Sequence, residues 1–173
     1  NRVLNLTILA PANRTLVIPV SCVEAGRWTR WSIEFTSAMR THYAGGRARK
    51  MSQVTESLRF TGQRRSDQSA VWADIEAKAE RLEAPSPTQA MAAIYEKHAT
   101  SIEDYVRAFS VTDGQVGALF AINDEGIGFD LFDYMETLRK LLPKLVRSYG
   151  LDALEAQMEK PPGKVRDTAQ PRR

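Results

Sequence analysis

The densest run of side chains that could do chemistry lies near the start of the chain. Cys22 and Glu24 are two residues apart, so they project from the same face if this segment is a strand. Gly26 then allows a bend that would bring Arg27 and Trp28 over a pocket. A carboxylate, a guanidinium fork and an indole face can together hold an anionic or planar ligand. The alternative is structural, with Trp28 in the core, Cys22 a buried apolar residue, and Glu24 paired with Arg27.

Two further polar segments stand where helices are expected to begin. Asp67, Gln68 and Trp72 occupy the first turns of a predicted helix, where free backbone amides and the helix dipole favour an anion. Asp130 follows a glycine-rich hairpin and is predicted at the entry to the last helix, as a cap or as a site carboxylate. Helix capping alone would explain both aspartates. The ligand-site hypothesis brings together seven residues: Glu24, Arg27, Trp28, Asp67, Gln68, Trp72 and Asp130.

Other kinds of site are poorly supported. The chain has one cysteine and two histidines, which is too few for a disulfide framework or a cysteine-based zinc cluster. A Cys-His dyad would need His42 or His98 to be brought to Cys22 by the fold. No glycine-rich phosphate loop is present. We therefore expect no metal and no cofactor, and the sequence assigns no general acid, base or nucleophile.

Charge is distributed very unevenly along the 173 residues, although the net charge is only +3. Residues 25–65 carry nine basic and two acidic side chains, whereas residues 66–159 carry eight basic and 17 acidic ones. The basic stretch between Arg40 and Arg65 suits a phosphate-rich partner, or else compensates the acidic helices that follow. Nucleic-acid binding is the weakest of these interpretations, because most of the chain is acidic.

The hydrophobic periodicity predicts strands first, then helices, then a hairpin and a last helix. This order indicates an α+β fold in which a mainly antiparallel sheet packs against short amphipathic helices. The predicted strands lie at 4–8, 16–20, 31–35, 116–122 and 127–129. The predicted helices lie at 51–60, 66–82, 86–109 with a break near Thr100, and 130–149 with Gly150 as the cap.

The length fits one domain, which we place at residues 1–155. The segment 160–173 is rich in proline and charge, and we expect it to be a flexible basic tail. No apolar run is long enough for a membrane span and no signal peptide is visible, so the expected location is the cytoplasm, with no membrane contact.

Several of these segments resemble the ARG and Rhodanese-Phosphatase-superfamily-associated Protein domain family. The most specific is Cys22-Val23-Glu24-Ala25-Gly26-Arg27-Trp28, supported by Ser66-Asp67-Gln68, by Gly114-Gln115-Val116-Gly117 and by Asp130-Leu131-Phe132. The family name refers to association with ADP-ribosylglycohydrolase and rhodanese-like phosphatase domains. The resemblance thus implies a role near ADP-ribose or phosphate-ester metabolism, through binding of a small phosphate-bearing or nucleotide-like ligand.

The resemblance also implies that the family domain begins upstream of Asn1, so the chain is expected to be its C-terminal part. A missing N-terminal segment or a second copy in a homo-oligomer would then cover the strand edge between Val3 and Leu9. The alternative function is a non-catalytic sensor or protein-interaction module, in which the conspicuous polar residues are structural. A binding site requires those residues to converge on one cleft, whereas an interaction module leaves them dispersed.

Overall fold

A computed structural model describes residues 2–4, 11–27 and 37–159. Within these ranges it contains five helices and four strands, and it confirms the α+β class. The strands are β1 (Arg2–Leu4), β2 (Val20–Cys22), β3 (Gly117–Ile122) and β4 (Glu125–Leu131). The helices are α1 (Ala44–Thr61), α2 (Gln68–Arg81), α3 (Met91–Lys97), α4 (Ala99–Ala108) and α5 (Met135–Glu159). Trp28, the strand predicted at 31–35 and the tail at 160–173 lie outside the described residues.

The strands form two separate antiparallel pairs. In the first pair, Val3 of β1 lies opposite Ser21 of β2. In the second, β3 and β4 form the predicted hairpin, with Leu119 opposite Phe129 and a register shift after Phe120. The turn residues Asn123 and Asp124 both have positive φ, which asparagine and aspartate tolerate better than most residues.

The prediction for α1 was wrong at its start, because the helix begins at Ala44 rather than near Met51. Tyr43 provides no side-chain cap. Instead, the amide of Gly45 donates to Oδ2 of Asp152, at 2.8 Å, from the distant helix α5. A carboxylate beside the first turn satisfies a free amide and complements the helix dipole. The first turns of α1 are therefore stabilised by a tertiary contact.

Two other helix boundaries also differ from the prediction for tertiary reasons. Helix α3 begins at Met91 rather than at residue 86, because the preceding segment pairs with the chain after β2: the Gly26 amide donates to the Thr88 carbonyl at 2.9 Å. Helix α5 runs through Gly150, where a helix end was expected, and continues to Glu159. Gly150 packs against the Tyr105 ring of α4, and a Cβ there would lie 3.4 Å from the ring, an ordinary van der Waals distance.

The buried apolar residues form two clusters. The larger joins β2, the start of α1, helices α2 to α4 and part of α5, and includes Ile75, Leu82 and Ile94. The smaller lies between α5 and the hairpin, around Leu138 and Leu142. The segment before α1 is attached to α5, because the Ser148 hydroxyl donates to the His42 carbonyl at 2.7 Å. This contact and the Asp152 cap position the residues of the candidate site.

Candidate functional site

The segment after β2 places Glu24 and Arg27 together. Glu24 is buried, and its Oε2 lies 2.5 Å from Nε of Arg27. Thr88 donates to the other oxygen, Oε1, at 2.7 Å. Burial opposes ionisation of Glu24, but the hydrogen bonds from Arg27 and Thr88 outweigh it and hold its pKa below 4.5. This geometry matches the ion-pair alternative derived from the sequence.

The start of α2 connects this helix to β2. Gln68 accepts from the Cys22 amide at 2.9 Å and donates to the Cys22 carbonyl at 2.8 Å, so it occupies both backbone groups of one residue. Asp67 caps the helix by accepting from the amides of Ser69 and Ala70. Trp72 is half-buried, and its indole nitrogen makes no hydrogen bond within the described part of the chain.

Asp130 lies elsewhere, and its predicted position at a helix entry was wrong. It belongs to β4, because the hairpin continues to Leu131 before α5 begins. Its carboxylate accepts from Arg47 at 3.2 Å and from the Tyr149 hydroxyl at 2.9 Å. Burial and the bond to Asp130 raise the pKa of Tyr149 to about 12. The predicted site residues that the structure describes thus occupy three places: the segment after β2, the start of α2, and the hairpin.

A small cavity between α1 and α2 brings together a different set of residues. Its volume is about 100 Å³. A volume of this size holds a few waters or one small oxyanion, but not a whole nucleotide. Its lining comprises His42, Gly46, Arg49, Lys50, Gln53, Ala70, Val71 and Asp74.

His42 is the most unusual member of this lining. Its side chain is 1% exposed, and its ring lies against the backbone of Gly46, but neither ring nitrogen makes a well-aligned hydrogen bond among the described residues. The ring packs on Gly46, where a Cβ would approach within 2.2 Å of Cε1. Burial, with the positive charge of Lys50 nearby, lowers the pKa of His42 to about 4, so the imidazole is neutral at pH 7. A neutral imidazole retains one donor and one acceptor for a ligand.

Lys50 is the second unusual residue, and comparison with Lys78 shows why. Both lysines are at most 3% exposed. Lys78 is paired with Asp152 at 2.6 Å and with Glu155 at 2.5 Å. Lys50 donates to the carbonyl of Leu4, and no carboxylate of the described ranges lies within ion-pairing distance of its amine. Burial, together with the charge of Arg47, lowers the pKa of Lys50 to about 8.

Asp74 is the carboxylate of the cavity lining, and it is engaged by two other side chains. The hydroxyl of Tyr43 donates to its Oδ2 at 2.5 Å, and Arg49 contacts its Oδ1 at 2.5 Å. Arg49 is 56% exposed, which leaves the cavity lining with an accessible guanidinium. Burial, with the bond to Asp74, raises the pKa of Tyr43 well above its usual value. The cavity is therefore lined by three basic side chains and one carboxylate that is already paired.

The basic stretch that contains these residues was predictable from the sequence, but the site itself was not. Gly46, Arg49, Lys50 and Gln53 recur at the i, i+3, i+4 and i+7 positions of a helix, which is a detectable signal. The pattern was missed because polar residues at this spacing normally indicate a solvent-facing side of a helix. Here the packing of α2 and of the chain before α1 covers that side of α1.

A second, more open cavity of about 460 Å³ lies along α2 and the loop that follows it. Its lining includes Ile75, Glu76, Glu80, Glu83 and Gln89. The structure describes six of the seven residues of the predicted ligand site, and none of these six lines either cavity.

Among the described residues, no group of three or more His, Cys, Asp or Glu side chains is arranged to hold a metal ion. None of the described helices is both long and apolar enough to cross a membrane. Comparison with curated proteins and with solved structures found no match to this chain. The sequence model of the ARG and Rhodanese-Phosphatase-superfamily-associated Protein domain, in contrast, matches residues 1–173. The resemblance to this family is thereby confirmed, and the chain belongs to it.

Proposed function

We propose that the chain binds a small phosphate-bearing ligand, whose anionic group occupies the cavity between α1 and α2. The observation that carries this proposal is the buried ammonium of Lys50, which has no carboxylate partner in the described residues and lines the same cavity as the buried imidazole of His42. A buried charge is costly unless it is paired. An anionic ligand would supply the missing counterion.

The lining offers an oxyanion hydrogen-bond donors as well as positive charge. Lys50 offers a point charge, Arg49 a planar fork of donors, and His42 a ring N–H. The side-chain amide of Gln53 lines the same cavity, and its Oε1 already accepts from the Asp67 amide at 3.0 Å, which leaves its NH₂ group as a donor. These groups provide donors to several oxygens of one phosphoryl group.

The size of the cavity restricts what enters it. About 100 Å³ accommodates a phosphoryl or carboxylate group, so the remainder of a nucleotide-like ligand would lie outside, toward the exposed side of Arg49. The family name refers to phosphatase-superfamily association, which fits a ligand of this chemistry. Binding is the proposed function, and a reaction on that ligand is not part of it.

The test is thermal unfolding in the presence of inorganic phosphate, ribose 5-phosphate, ADP-ribose and, as a neutral control, ribose. A ligand that binds the native state raises the unfolding midpoint by mass action. We expect the three phosphate compounds to raise the midpoint of the wild-type protein and of Lys97→Met, which removes an exposed lysine. Lys50→Met should lose the shift. An equal shift in Lys50→Met would refute the proposed site.

Arg27→Ala tests the ligand site predicted from the sequence in the same experiment. If the Glu24–Arg27 segment binds the ligand, the shift disappears in Arg27→Ala and persists in Lys50→Met. If the cavity binds it, the pattern is reversed. The two sites are thus separated by one pair of variants.

The second candidate function is the protein-interaction module. It is favoured by apolar side chains exposed on the β3–β4 hairpin, where Leu119, Phe129 and Leu131 are all more than 60% exposed. No shift with any phosphate compound, together with a change in oligomeric state when Leu119 and Phe129 are replaced by serine, would favour this function.

A further inference from the structure

We propose that Lys50 is a reactive amine that forms an imine with small aldehydes bearing an anionic group. This inference rests on the anion site proposed above and adds a covalent activity to it. Its geometric basis is that Lys50 lines a cavity, is 3% exposed, and donates to a single carbonyl, that of Leu4. No carboxylate in the described residues holds the amine in its charged form.

The surroundings of Lys50 favour attack by the free amine. Burial and the charge of Arg47 lower its pKa to about 8, whereas exposed lysines titrate near 10.4. At about pH 7.5, the fraction of free amine at Lys50 is therefore roughly a hundredfold larger than at an exposed lysine. Desolvation next to another cation is a recognised means of activating a lysine nucleophile.

The other lining residues have defined roles in this step. Arg49 would hold the anionic group of the aldehyde at the exposed part of the lining. His42, neutral at pH 7, lines the same cavity and can donate its ring N–H to the carbonyl oxygen of the aldehyde. The cavity volume of about 100 Å³ restricts the substrate to two or three carbon atoms in the part that enters.

The atoms balance without any further reactant. The lone pair of the Lys50 amine attacks the aldehyde carbon, the C=O π bond opens, and one proton lost by the nitrogen passes to the oxygen to give a carbinolamine. The carbon–oxygen bond then breaks, the second nitrogen proton leaves with the hydroxyl group as water, and the carbon–nitrogen double bond forms. One amine and one aldehyde therefore give one imine and one water.

The experiment is reductive trapping with glyoxylate, a small aldehyde with a carboxylate, followed by peptide mapping. Cyanoborohydride delivers hydride to the imine carbon and leaves a stable secondary amine on the lysine that reacted. Lys97, an exposed lysine, is the accessible reference. We expect Lys50 to be labelled at least tenfold more than any other lysine.

Lys78 is the matched internal control, since it is equally buried but paired with two carboxylates, and it should remain unlabelled. Lys50→Arg keeps a cation but has no imine-forming amine, so the label at this position should disappear. Inorganic phosphate should slow the labelling of Lys50 in the wild-type protein and leave the labelling of the exposed Lys97 unaffected. Labelling of Lys50 at or below the level of exposed lysines would overturn the inference.

The outcomes for the two proposals can be told apart. Phosphate binding by the wild-type protein without labelling of Lys50 overturns the imine and keeps the anion site. Labelling of Lys50 that phosphate does not slow supports the reactive amine and counts against the anion site. Absence of both phosphate binding and labelling overturns both.

Discussion

Replacing Lys50 with methionine should make the ligand-free protein more stable at neutral pH. The pKa of Lys50 falls from 10.5 to about 8 through burial and the charge of Arg47. At about 1.4 kcal/mol per pKa unit, the charged form costs up to about 3 kcal/mol at pH 7. Solvent screening around the cavity reduces this cost to about 2 kcal/mol. Loss of the hydrogen bond to the Leu4 carbonyl costs about 1 kcal/mol, which leaves a net gain of about 1 kcal/mol.

The gain should disappear as the pH rises. Between about pH 8 and 10.5, the unfolded chain keeps a proton on Lys50 that the folded protein has released. The unfolded state then binds more protons, so the stability contributed by this group rises with pH across that window. Lys50→Met lacks this rise. Its advantage over the wild type should shrink above pH 8 and be lost by about pH 10.5.

The assay is urea-induced unfolding of the two proteins at pH 7 and near pH 10, with Lys78→Met as the matched control. Lys78→Met removes the buried cation between the half-buried carboxylates of Asp152 and Glu155, of which Glu155 keeps its pair with Arg81, so it should lose about 3 kcal/mol. If Lys50→Met is instead destabilised by more than about 1 kcal/mol at pH 7, Lys50 is a paired structural lysine and the reasoning is refuted.

Three further predictions concern the walls of the cavity and its frame. The unfolded chain takes up a proton at His42 near pH 6.5, but the folded protein does so only near pH 4. The free energy of unfolding should therefore fall by up to about 3 kcal/mol as the pH decreases from 6.5 to 4. His42→Gln should remove this decrease, as measured by urea unfolding across the same pH range. Gly46→Ala would place a Cβ 2.2 Å from the buried His42 ring, so it should lower the free energy of unfolding by about 2 kcal/mol and abolish phosphate binding. In Gly45→Ala the nearest neighbour of the new Cβ is the flexible end of an arginine at 3.3 Å, so this control variant should be neutral or stabilising. Calorimetry of the two variants measures both effects on stability. Gln68→Ala removes two hydrogen bonds to the backbone of β2 and should cost about 2 kcal/mol, compared with no change for the exposed Gln63→Ala; equal midpoints for the two would show that the contact to β2 is not stabilising.

The fold class and several elements were predictable because their signals are local. Helix α2 begins where Asp67 can cap it and ends before Pro85, and the β3–β4 turn contains residues that tolerate positive φ. The pairing of Glu24 with Arg27 was also predictable, since the two residues are only three positions apart. The family resemblance depended on the same short segments, and it extends over the whole chain.

The candidate site was decided by contacts between residues that are distant in sequence. Asp152 accepts from the Gly45 amide across 107 residues and stabilises the first turn of α1, and Ser148 of the same helix donates to the His42 carbonyl. The sequence does not distinguish the two buried lysines, Lys50 and Lys78. They differ in their counterions, because carboxylates of α5 reach Lys78 but not Lys50. Residue type and spacing thus determine which segments become helices and strands, through local steric and capping preferences. Whether a charged side chain is buried, and whether it finds a counterion there, depends on which elements pack against it, and only the tertiary structure decides that.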